Sequence, residues 1–190
     1  MIEAAPVAVV TTTSPDGTRA VGGALAAVVR PGDIVVLAGD LGAGKTTFAQ
    51  GFAAALGVRE PVTSPTFALV RPYRCRMGGA GGVRTILHAD VYRLDRLAEV
   101  ADLGLAQLVE DEAVALVEWG DVAVPVLGGD VLQVRLDPGS GDGERLVTVT
   151  ALGPGWAARA ATVRAAARGP ATGTTSGKSG KSGKSGEEGQ

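Results

Sequence analysis

Along the chain, short runs of β-branched or apolar residues alternate with longer stretches of helical period. Residues 7–12 are β-branched and apolar, and Ser14 followed by Pro15 is an N-cap and first-turn pair that predicts a helix to about residue 29. Gly32-Asp33 is a turn before Ile34–Ala38, an apolar run of buried-strand length. A glycine-rich loop then opens a helix over 45–56 that Gly57 closes. Strands are expected at 66–74 and 84–91, separated by a flexible MGGAGG stretch at 77–82. A helical segment at 96–109 and an apolar strand at 113–119 follow. Residues 132–136 and 145–151 read as a terminal hairpin, and 156–168 as a last, alanine-rich helix. This alternation predicts an α/β fold whose sheet is largely parallel and flanked by helices, with antiparallel additions near the end. No internal repeat is visible.

From Gly169 the chain reads GPATGTTSGKSGKSGKSGEEGQ, with no apolar residue to anchor it, so 1–168 is expected to be one domain and 169–190 a disordered Gly/Ser/Lys-rich tail. The 190 residues (19.0 kDa) are 45% hydrophobic and 20% charged, enough for a real core and not the composition of a disordered chain. One cysteine, Cys75, excludes an intramolecular disulfide framework and, without a nearby His or Cys, reads as a buried or tolerated thiol. The net charge of -2 provides no global basic field for DNA, RNA or anionic lipid. The start lacks a basic n-region, and nothing approaches the roughly eighteen apolar residues of a membrane span. The expectation is a soluble cytoplasmic protein.

Fourteen of the cations are Arg and four are Lys; three lysines lie in the tail, which leaves Lys45 as the only lysine of 1–168. It belongs to Gly39-Asp40-Leu41-Gly42-Ala43-Gly44-Lys45-Thr46, which fits G-x-x-x-x-G-K-[ST] between a predicted strand and a predicted helix. Phosphate oxygens approach the backbone more closely than a Cβ allows, so glycines let successive N–H groups curl into an anion nest at a helix N-terminus. Lys45 adds a point charge, and the Thr46 hydroxyl can complete the shell of a Mg²⁺ ion. The three GKS triplets of the tail fail the same test, because Thr172, Thr175 and Lys178 stand where the first glycine should be. Guanine-specific GTPases use N-K-x-D, and this chain has no asparagine, which leaves ATP by exclusion.

Parallel strands deliver their C-terminal ends to one edge of a sheet, so a second strand ending in an acid can complete such a site. Two qualify: 86–90, ending in Asp90, and 114–118, ending in Glu118. Glu118 would bind Mg²⁺ or orient the attacking water, and spacing does not choose between these roles. His88, two residues before Asp90, faces the same way and reads as a histidine satisfied by neighbours near the site. Thr63-Ser64-Pro65-Thr66 lies where switch segments occur, with a plain turn as the competing reading, and Trp119 reads as core ahead of a nucleotide contact.

GDLGAGKTTFAQGFAAALG at 39–57, VTSPTFALVRPY at 62–73, HADVYRLDR at 88–96, DLGL at 102–105 and VEWGD at 117–121 together resemble the TsaE family of P-loop NTPases. The resemblance runs from about residue 11 to 151. It implies an ATPase of tRNA threonylcarbamoyladenosine (t6A) biosynthesis. Such a protein works with TsaB and TsaD, whose complex modifies the adenosine 3′ of the anticodon in tRNAs reading codons that start with A. tRNA would be met through that complex, with no role for DNA or a membrane. Carried across, residues 42–47 (Gly42, Ala43, Gly44, Lys45, Thr46 and Thr47) would hold the phosphates of ATP and Thr46 and Glu118 the Mg²⁺. Asp90 would be the Walker B-like acid, Thr66 the switch threonine, Trp119 a neighbour of the nucleotide, and Thr18 a residue near the adenine. Two other readings stay open: a P-loop small-molecule kinase using Arg71, Arg74 and Arg76, and an adaptor that binds nucleotide without hydrolysing it.

Overall fold

The computed structural model describes residues 4–65, 69–76, 80–92, 97–109 and 112–169. β1 (Ala8–Thr12) leads to the cap read from sequence: the Ser14 hydroxyl accepts from Gly17 N at 3.1 Å, and Pro15 opens α1 (Pro15–Ala26). Then come β2 (Ile34–Ala38), α2 (Lys45–Ala55), β3 (Val70–Arg74) and β4 (Thr85–Asp90). α3 (Leu97–Asp102), α4 (Leu105–Leu108) and β5 (Ala113–Glu118) follow, and a 3₁₀ segment (Gly120–Val126) leads to β6 (Val131–Pro138), β7 (Arg145–Leu152), α5 (Pro154–Ala158) and α6 (Ala160–Arg168).

Several boundaries differ from the sequence reading, three of them by a break or a late start. The strand expected from 66 starts at Val70. The helix expected at 96–109 breaks where Gly104 takes a left-handed conformation (φ 60), and the last helix divides at Arg159. Ala80–Gly82, the end of the glycine stretch, forms a 3₁₀ turn. Residues 77–79 and the tail from 170 lie outside the described residues.

The sheet has the order β1-β7-β6-β2-β5-β4-β3. β2 pairs in parallel with both β5 and β6, and β4 with β5; β1–β7, β6–β7 and β3–β4 are antiparallel. The parallel centre and the terminal hairpin are as expected. The antiparallel pairing of β1 outside β7 and of β3 outside β4 had no local sequence signal, since it depends on which edges remained open. β1, β6, β2, β5 and β4 consequently all run the same way, and their C-terminal ends share one edge.

Side-chain alternation divides the core in two. Val35, Leu37, Ile86, Val114 and Leu116 pack beneath α1 and α2 with Leu25, Phe48 and Phe52. Val36, Ala89, Ala115 and Val117 pack against Val100, Leu105, Val109 and Leu127 on the other face. α1 and α2 touch backbone to backbone: a Cβ on Gly51 would stand 2.0 Å from Arg19 O. Trp156, Val163 and Ala167 extend the first layer, and Arg159 grips Asp33 through two hydrogen bonds of 2.6 and 2.9 Å while its guanidinium lies 3.9 Å from the Trp156 ring centroid. Among the described residues no helix is long and apolar enough to cross a membrane.

Candidate nucleotide site

The face of the sheet under α2 is apolar for most of its length and turns polar at the C-terminal edge. Following the alternation, Leu116 gives way to Glu118 on β5, and Ile86 to His88 and Asp90 on β4. All three are buried, at 2%, 1% and 3% exposure, and Asp90 and Glu118 stand directly opposite each other in the β4–β5 register.

The loop from 39 to 44 crosses this edge between β2 and α2. Gly39 has φ +130, and a Cβ there would lie 2.2 Å from Leu136 O, so the close passage against β6 admits only glycine. Gly44 has φ +106 and is the N-cap of α2. The loop thus ends at a helix N-terminus, where unpaired N–H groups and the helix dipole favour an anion.

Lys45 folds back over its own loop, with Nζ donating to Gly39 O at 2.7 Å and Asp40 O at 2.9 Å. The same ammonium lies 3.5 Å from the centroid of the Trp119 ring, a cation–π contact. Burial pulls its pKa below the ordinary lysine value, opposed in part by the carboxylates of Glu118, Asp90, Asp40 and Asp121. Trp119 reaches this position because its backbone is left-handed (φ 61) while its N–H donates to Leu37 O at 2.8 Å. Tyr92 packs against its ring at 4.7 Å between centroids.

Thr46 Oγ1 donates to Glu118 Oε1 and Oε2, at 3.1 and 3.2 Å. His88 Nε2 is 3.0 Å from Glu118 Oε1. A carboxylate only accepts, so the proton is on Nε2, consistent with a buried Nδ1 that has no hydrogen-bond partner among the described residues. His88 is thus satisfied by a neighbour in the site at Nε2 only, which meets in part what its position on β4 suggested. Asp90 is held separately: Ser64 Oγ donates to Oδ2 at 2.5 Å and Tyr92 N to Oδ1 at 3.0 Å. The adjoining segment is fixed as well, since Gln50 Nε2 donates to Val62 O and Thr63 N donates to the Tyr73 hydroxyl.

These groups wall a cavity of about 370 Å³, lined by Leu41, Gly42, Gly44, Lys45, Thr46 and Thr47 from the loop and helix, and by Ser64, Asp90, Tyr92, Glu118 and Trp119 opposite. Most of the residues singled out by sequence therefore converge. Ala43 is buried behind the loop. Thr18 does not line the cavity: its hydroxyl is buried against Thr12 Oγ1 at 2.9 Å, beneath Gly44. Thr66 lies outside the described residues. Arg71 pairs with Glu60 and lies over the Tyr73 ring, and neither it nor Arg74 or Arg76 lines the cavity. Tyr92 lay within the HADVYRLDR motif without being singled out, and Arg145, which reaches the loop from β7, had no motif to betray it.

The donors facing each other at Thr46 and Glu118 are hard oxygens, and there are few of them. Such a set suits a small divalent cation that completes its shell with phosphate and water oxygens, as Mg²⁺ does.

Comparison with known proteins agrees with this arrangement. The family model for threonylcarbamoyl adenosine biosynthesis protein TsaE matches residues 12–146. The chain is 42% identical over 142 residues to the tRNA threonylcarbamoyladenosine biosynthesis protein TsaE of Bacillus subtilis, covering 75% of this chain and 84% of the relative. It is 44% identical over 143 residues to the Streptomyces coelicolor protein of that name, covering 73% and 93%. Bacillus subtilis YdiB, known from a crystal structure, superposes with a TM-score of 0.67 at 34% identity, over 82% of this chain and 93% of YdiB. α5 and α6 lie beyond the matched span. On the family match, the identities and the shared P-loop α/β fold, the chain belongs to the TsaE family.

Proposed function

We propose that this protein is the Mg²⁺-dependent ATPase of tRNA threonylcarbamoyladenosine synthesis, working in the cytoplasm with the TsaB–TsaD complex and meeting tRNA through it. The pathway is that named for its relatives. The observation that carries the ATPase reading is the contact between Thr46, at the start of α2, and Glu118, at the end of β5, on the wall of a cavity that also exposes Gly42, Gly44 and Lys45.

In this reading the loop N–H groups and the α2 N-terminus bind the β and γ phosphates, and Lys45 exchanges its two carbonyl partners for phosphate oxygens. Thr46 and Glu118 would hold Mg²⁺, which when bound neutralises charge developing on the phosphates. His88 keeps the Glu118 carboxylate turned toward Thr46. Asp90, oriented by Ser64 and Tyr92, is the second acid, placed to align the attacking water, and Thr66 follows the anchored 62–64 segment as the switch threonine. Trp119 covers Lys45 and limits water beside the phosphates. ATP is the nucleotide of choice because the chain lacks the asparagine of a guanine-reading motif.

The test is mass spectrometry of tRNA nucleosides after depletion of the protein, with complementation by the wild type and by Lys45→Ala. Loss of threonylcarbamoyladenosine restored by the wild type alone is expected. Unchanged modification after depletion would remove the assignment.

A further inference from the structure

The first residue of β7 is tied to the phosphate loop from outside the cavity. Arg145 Nε donates to Ala43 O at 3.0 Å and Nη2 to Gly42 O at 3.4 Å, while Nη1 turns back to Glu144 O at 2.8 Å. All three nitrogens of the guanidinium are engaged. Arg145 reaches the loop because β7 begins at the edge where β2 ends: it pairs with Pro138, the last residue of β6, and with Thr12, the last of β1.

These contacts have a geometric consequence. No described peptide bond is cis, so C=O and N–H of one peptide unit point opposite ways. The Gly42 carbonyl belongs to the same unit as the Ala43 N–H, and the Ala43 carbonyl to the same unit as the Gly44 N–H. Drawing both carbonyls outward turns those N–H groups to the inner side, where Ala43 N–H closes the loop turn on Asp40 O at 3.1 Å and Gly44 borders the cavity. The loop is glycine-rich, with positive φ at Gly42 and Gly44, and its own turn bond from Ala43 N–H to Asp40 O holds only the first of these two units. A planar fork that spans two successive carbonyls is suited to the task; a lysine, with its single nitrogen on a flexible stem, is not.

We propose that Arg145 is a positioning residue that pre-forms the anion nest, setting the Gly42–Ala43 and Ala43–Gly44 peptide units before nucleotide arrives. Its consequence for affinity rests on the nucleotide-site reading above; its effect on the empty loop does not. Arg145 is half-buried, so its replacement leaves the core intact.

The test combines hydrogen exchange of the nucleotide-free full chain with ADP titration, for the wild type, Arg145→Ala and Arg145→Lys. Faster exchange across residues 39–47 in both variants is expected, together with an ADP dissociation constant raised about tenfold in both, the worth of one or two charge-assisted hydrogen bonds. A role confined to hairpin stability would lower the thermal midpoint without changing loop exchange, and that result would overturn the proposal. So would Arg145→Lys binding ADP as the wild type does, since a bare positive charge would then suffice. Faster loop exchange in the variants of a chain that binds no ADP would uphold the positioning role and defeat the nucleotide reading instead.

Discussion

The Thr46 hydroxyl and the Glu118 carboxylate, 72 residues apart in sequence, stand 3.1 Å apart where α2 begins and β5 ends. In the proposed function both oxygens would hold one cation, so removal of the hydroxyl should weaken the Mg²⁺ dependence of ADP binding by about tenfold. Thr46→Val should show this loss and Thr46→Ser should not, in ADP titrations with and without Mg²⁺. An unchanged Mg²⁺ dependence in Thr46→Val would separate this pair from the metal.

Lys45 gives a pH dependence of known sign. Burial lowers its pKa from the ordinary 10.5, so part of the population is neutral at alkaline pH where a free lysine is still charged. In the empty protein this penalty on the charged form is full below the lowered pKa and fades as pH rises toward 10.5. A bound polyphosphate restores the charge, so ADP binding should take up protons at alkaline pH below 10.5, well above the second phosphate pKa of about 6. Calorimetry in buffers of different ionisation enthalpy measures the uptake, which should vanish in Lys45→Met.

The α1–α2 contact should tolerate no side chain at Gly51. A methyl group there meets Arg19 O at 2.0 Å, and both partners are helix backbone that cannot step aside cheaply. Gly51→Ala should cost about 2–3 kcal/mol and lower the thermal midpoint by about 5–10 °C. Scanning calorimetry decides it. A midpoint equal to the wild type would mean the two helices part more easily than their packing implies.

Arg159 and Asp33 fasten the C-terminal helices, beyond the family match, to the opposite edge of the sheet from the nucleotide cavity. The pair is largely buried, at 16% and 11% side-chain exposure, and Asp33 also accepts from Arg30 N at 2.7 Å. Arg159→Ala should cost about 2–4 kcal/mol, because it leaves a buried carboxylate without its cation. The double variant with Asp33→Asn should lose less than the sum of the two singles. ADP affinity should stay within about twofold of the wild type, as expected for sites this far apart. Denaturant titration and ADP binding on the same samples check both statements.

What the sequence disclosed follows from how local each cause is. The Ser14 cap, the five apolar residues of β2 and the phosphate loop are each set by neighbours a few positions away, and they stand where they were read. Asp90 and Glu118 were legible at one remove, because parallel strands must end on one edge, and the register puts them side by side. The placement of Lys45 beneath Trp119 was not, since it depends on a left-handed tryptophan after β5 that no propensity announces. Arg145 was beyond reach altogether: its partners lie 102 and 103 residues away and come near only once β7 is laid against β6 and β1. Thr18, expected near the adenine from the resemblance alone, has its hydroxyl against Thr12 Oγ1, a pairing that depends on how α1 folds back over β1.

Steady-state ATP turnover by the wild type and Glu118→Gln, with Mg²⁺ and with the TsaB and TsaD proteins, tests the account most directly. The wild type should turn over slowly alone and faster with both partners. Glu118→Gln should keep ATP binding within a few fold and lose about a hundredfold or more in turnover. Undiminished turnover by Glu118→Gln would contradict the site described for this chain.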